Sequence, residues 1–63
     1  MNVRAVMRYF TDKDGIRVLE LDRVFDTYRV IDRSHGKMRQ SKYDSLQDAM
    51  RAFDAKADKV LSL

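Results

Sequence analysis

The chain has no cysteine, no proline and no tryptophan, only two glycines and one histidine, and Glu20 is its single glutamate. Without cysteine there is neither a disulfide framework nor a thiolate zinc site, a composition that fits a reducing cytoplasm. Two glycines cannot build a glycine-rich phosphate loop. With one histidine and one glutamate, a hydrolytic triad or a zinc centre has too few candidates to assemble. Nowhere do about 18 apolar residues run together, and Arg4 and Arg8 interrupt the first segment, so no membrane span or signal peptide is expected. A cytoplasmic protein that is not an enzyme, and that calls for no cofactor or metal, is the expectation.

What is present is charge. Charged residues make up 37% of the 63 residues, against about 25% in ordinary soluble domains, with a formal net charge of +3. The excess is unevenly spread. Residues 1–11 hold Arg4 and Arg8 and no acid, residues 12–32 hold more acids than bases, and residues 33–42, "RSHGKMRQSK", hold Arg33, Lys37, Arg39 and Lys42 with no carboxylate. Over 12–32 and after 42 the two signs interleave, so this basic ribbon stands out from charge placed only for solubility. A chain of this length forms one small domain, 1–63, burying only ~60% of the surface its unfolded form exposes.

The C-terminal third reads as a helix over about 45–61. Leu46, Ala49, Met50, Phe53, Ala57, Val60 and Leu61 follow a 3.6-residue period, with Gln47, Asp48, Arg51, Asp54 and Asp58 on the other side. Asp44 or Ser45 can cap its start, and Asp48 suits the positive end of the helix dipole. Upstream the period is two. "VRAVMRYF" at 3–10, "IRVLELD" at 16–22, "TYRVIDR" at 27–33 and "MRQSK" at 38–42 read as strands. "TDKDG" and "SHGK" read as hairpin turns with Gly15 and Gly36 as the permissive residues, while "RVF" at 23–25 is open between a turn, a bulge and a bent strand. The fold class predicted is α+β: a three- to four-stranded antiparallel sheet over about 3–42, packed on one face by a single C-terminal helix, in the order β-β-β-β-α.

If Tyr28 and Val30 face the helix, alternation turns Arg29, Ile31 and Arg33 outward, and Lys37 and Arg39 are expected to continue that outer face. Ser34 and His35 lie in a predicted turn, where small polar residues are usual, and no catalytic role is assigned to them. "DKDGIRVLE" superficially matches a calcium loop, but aligning Gly15 with the loop glycine puts Phe10 and Leu21 at ligand positions, so a plain turn is the better reading. Tyr28, Tyr43 and Phe53 read as core, and Tyr9 and Phe10 point to opposite faces.

Residues 28–60, "YRVIDRSHGKMRQSKYDSLQDAMRAFDAKADKV", resemble the second half of the plant ethylene-response-factor (APETALA-type) DNA-binding domain and its relatives in phage endonucleases and tyrosine-recombinase N-terminal domains. Tyr43-Asp44-Ser45 looks like the family's aromatic and cap, and "DAMRAFD" like its helix centre. "RQS" at 39–41 departs from the family's aromatic, aliphatic and glycine, and the hairpin over about 12–26 is an addition. The resemblance implies a sheet laid in the major groove, with Arg29, Ile31, Lys37 and Arg39 toward DNA and Arg4 contributing from the first strand.

The function expected is a small nucleic-acid-binding module contacting duplex DNA, with Arg29, Arg33, Lys37 and Arg39 on phosphates. Neutralising about four phosphates gives a log-log salt slope of roughly −3 to −4. The alternative is a phage-type inhibitor or adaptor that binds a host protein, and a homodimer is a third possibility. The sheet-face reading depends on Arg29 and Arg39 sharing one side with their tips free.

Overall fold

In a computed structural model, which describes residues 3–61, the chain forms β1 (Arg4–Thr11), β2 (Arg17–Val24), β3 (Thr27–Ser34), β4 (Lys37–Tyr43) and α1 (Leu46–Leu61). The strands pair as an antiparallel meander in the order β1-β2-β3-β4, and α1 packs across β2 and β3. The α+β architecture is the one predicted. The four terminal residues of the expected 1–63 domain lie outside the described residues.

Each turn follows from its residues. Between β1 and β2, the Asp12 carboxylate accepts from the Ile16 amide at 2.9 Å, while Gly15, at φ 71°, donates its amide to the Asp12 carbonyl at 3.1 Å. Between β3 and β4, His35 and Gly36 take φ of 51° and 76°, the paired positive values of a two-residue type I′ hairpin. The segment left open in the sequence resolves as strand plus turn. Arg23 and Val24 extend β2, and Phe25-Asp26 form a two-residue connection with Phe25 at φ 55°.

The core lies between α1 and the middle of the sheet. Leu19 and Leu21 of β2, Val30 of β3, and Ala49 and Phe53 of α1 are buried together, with Phe10, Tyr28, Tyr43, Leu46 and Met50 packed around them. Four alanines and no β-branched residue before Val60 favour the helix, and Ser45 caps it by accepting from the Asp48 amide at 3.5 Å. The stripe outruns the sheet at its end, where Leu61 is exposed.

A bulge at Met7 breaks the β1–β2 register between Val6 and Arg8. Its effect is to change sides. Val6 pairs with Asp22 on the face away from the helix, whereas Arg8 pairs with Leu21 on the helix face and reaches Asp54 of α1 at 2.8 Å.

Candidate nucleic-acid interface

On the face away from α1, Arg4 from β1, Glu20 and Asp22 from β2, and Arg29, Ile31 and Arg33 from β3 come together. Asp22 is fully buried and Glu20 nearly so, although no helix covers this side. Arginines cover them. Arg29 forms a fork on Asp22, with contacts of 2.9 and 2.5 Å, Arg4 donates to Asp22 at 2.6 Å and also to Glu20, and Arg33 donates to Glu20 at 2.6 Å. Two carboxylates thus hold three guanidinium groups, the charge-assisted fork geometry that fixes an arginine in place.

The electrostatics of Asp22 record the outcome of two opposing effects. Burial disfavours its charged form, but hydrogen bonds from Arg29 and Arg4, and their charges, outweigh burial and hold the carboxyl below its usual range. The hydrogen bond to Asp22 in turn raises the Arg4 and Arg29 guanidinium groups above theirs. These arginines stay charged and tethered.

The expected outer face is therefore corrected in two respects. Arg29, Ile31 and Arg33 do share the outward side, but Ile31 is only 3% exposed, and the tips of Arg29, Arg33 and Arg4 are occupied by Asp22 and Glu20. Lys37 and Arg39 are on the opposite face. The two-residue turn pairs Ser34 with Lys37 and Asp32 with Arg39, so these two cations share the helix side, and the β4 residues beside Arg29 and Ile31 are Lys42 and Gln40. A loop one residue longer would have paired Arg39 with Arg33 and so turned it to the face of Arg29, because side chains alternate with period two.

Ion pairing leaves most of the remaining positive charge on β4, within the acid-free ribbon 33–42. Among the described residues, Lys13, Lys37, Arg39, Lys42 and Arg51 make no ion pair, and three of these five lie on β4. β4 is an edge strand with an exposed surface from Lys37 to Gln40 and again at Lys42. On its helix side Arg17, Asp32, Ser34, His35, Lys37 and Arg39 line a concavity of about 330 Å³. There Asp32 accepts from Arg17 at 3.3 and 3.0 Å and has Lys56 of α1 at 3.8 Å.

Sequence reasoning missed Glu20, Asp22 and Asp32, the acids that decide which cations are free. Their alternation with Leu19 and Leu21 placed the first two on the outer face, opposite Arg29 and Ile31, and that was the available signal. Compared with family models, curated proteins and solved structures, the chain matches none. Geometry alone carries the functional reading.

Proposed function

We propose that the chain is a non-catalytic nucleic-acid-binding module that contacts the phosphates of duplex DNA through β4 and the β3–β4 turn. One observation supports this reading: Lys37, Arg39 and Lys42 are exposed on an edge strand and unmatched by any carboxylate, while the tips of the outer-face arginines are engaged by Asp22 and Glu20. Lysine and arginine on phosphates supply sequence-independent affinity, and each contact displaces condensed counterions. Three contacts correspond to a log-log salt slope of about −2.7. Arg29, Ile31, Arg33 and Arg4 act in this reading as the frame that ties β1, β2 and β3 together behind β4.

Fluorescence anisotropy of labelled duplex DNA at several salt concentrations tests it. The expected result is binding that weakens steeply with salt, with each of Lys37→Gln, Arg39→Gln and Lys42→Gln reducing the slope by about 0.9. Binding that ignores salt, or that survives the triple variant, rejects it.

A second reading is favoured by β1, the other edge of the sheet. Val6, Met7 and Tyr9 are exposed there by 51%, 45% and 62%, and Arg8 and Arg4 are already paired, which suits an extended segment of a partner protein adding a strand. A phage-type inhibitor or adaptor bound to a host protein would use such an edge. Tyr9→Lys would then abolish partner capture without affecting DNA. A doubled mass in solution that reverts with the same variant would make the occupant a second copy of this chain.

A further inference from the structure

The concavity on the helix side of β4 has a charge imbalance that the fold itself does not require. Asp32 is its only carboxylate, and both oxygens are committed, to Arg17 through two hydrogen bonds and to Lys56 at 3.8 Å. Arg39 stands directly across the strand pair from Asp32, and Lys37 across from Ser34, yet neither makes an ion pair. Two cations of one small concavity are left without a counter-charge, beside a serine hydroxyl and an imidazole held in the turn by the positive φ of His35.

We infer that the concavity lined by Arg17, Asp32, Ser34, His35, Lys37 and Arg39, in which Arg17 and Lys56 engage Asp32, binds a phosphate monoester as its dianion. Its 330 Å³ lies at the small end of ligand sites, which suits a compact anionic group better than an extended one. A guanidinium fork such as that of Arg39 matches two phosphate oxygens, and an ammonium adds a point charge without geometric demand. The charge count selects the class. A phosphodiester carries one negative charge, whereas a monoester, with a second pKa near 6, carries close to two at neutral pH and matches the two unpaired cations. The inference rests on the nucleic-acid reading for one of its two sources, the phosphate at a strand end; the other is a free small phosphate.

Two measurements on the full chain separate these sources. In the first, amide resonances are followed while inorganic phosphate is added against chloride at matched ionic strength. Saturable shifts are expected at Ser34, His35, Gly36 and Lys37 and not at Lys42, and the double variant Lys37→Gln/Arg39→Gln, altered only at exposed positions, loses them while keeping its dispersed spectrum. In the second, duplexes with 5′-phosphate and 5′-hydroxyl ends are compared, and the phosphorylated one binds roughly tenfold tighter, the scale of one hydrogen bond to a charged group. Phosphate shifts with equal affinity for the two duplexes support the site and assign it to a free small phosphate. The same shifts with no duplex binding at all keep the site and overturn the nucleic-acid reading. Absence of saturable shifts together with equal duplex affinities overturns the inference and leaves salt-dependent DNA binding untouched.

Discussion

Asp22 sits on the side of the sheet that no helix covers, and is nevertheless completely buried because Arg4 and Arg29 close over it. A buried carboxylate with two charged donors is costly to disturb from either side, since loss of charge leaves two guanidinium groups without their acceptor. Asp22→Asn is therefore expected to destabilise the domain by about 1–3 kcal/mol at neutral pH, the range for donors left unmatched. The pH dependence follows from the direction of the Asp22 shift. Its carboxyl is held below the ordinary value near 4, so its contribution is complete above that value and is lost as pH falls through the depressed one. In thermal melts, then, the gap between wild type and Asp22→Asn should be constant from neutral pH down to about 5 and should close below about 4; a gap that stays constant into strong acid would show that Asp22 contributes nothing through its charge. Arg29 and Arg39 make the matching comparison. Arg29→Ala should lower the melting temperature and leave the salt slope of DNA binding unchanged, because its tip is engaged with Asp22, while Arg39→Gln should do the reverse.

At the level of elements, two-residue connections set which side chains meet. The helix and the alternation within β2 and β3 were legible from spacing, the cap was narrowed to Asp44 or Ser45, of which Ser45 accepts the bond, and each element starts and ends within one or two residues of its expected place. Facing across a hairpin was not read correctly, although the signal was there. His35-Gly36 is a two-residue turn, and antiparallel pairing through such a turn puts an even-numbered residue opposite an odd-numbered one, so Arg29 shares its side with Lys42 and not with Arg39. The Met7 bulge has no comparable mark in the sequence. It shows only once β1 is paired, when Arg4 and Arg8 fall on opposite faces. The turn between β2 and β3 carries a cost of its own. Phe25 is 69% exposed at φ 55°, a left-handed conformation that disfavours a side-chain-bearing residue by about 1–2 kcal/mol, while glycine gives back part of that gain through its freedom when unfolded. Phe25→Gly should raise stability by about 0.5–1 kcal/mol in urea titration. A loss would mean that the aromatic ring makes a stabilising contact from its exposed position.

For the whole molecule, the two faces of the sheet are held by different physics. The helix side is one apolar cluster centred on Leu19, Leu21, Val30, Ala49 and Phe53, and the far side is a lattice of guanidinium groups over Glu20 and Asp22 with Ile31 buried among them in the sheet. Ion pairs at a partly wetted face contribute little each, so the apolar side must supply most of the stability, and in a domain this small that total is a few kcal/mol. Phe53 is the largest side chain that α1 buries. Removing it as Phe53→Ala costs about 3–5 kcal/mol, comparable to the whole margin, so the chain should be largely unfolded at 25 °C, with helix and sheet signals lost together in circular dichroism. Ile31→Val, on the ionic side, removes one methylene and should cost only about 0.5–1.5 kcal/mol, leaving a folded domain with its DNA salt slope intact. A Phe53→Ala protein that kept its sheet while losing its helix would show that the arginine-carboxylate lattice can hold the four strands by itself.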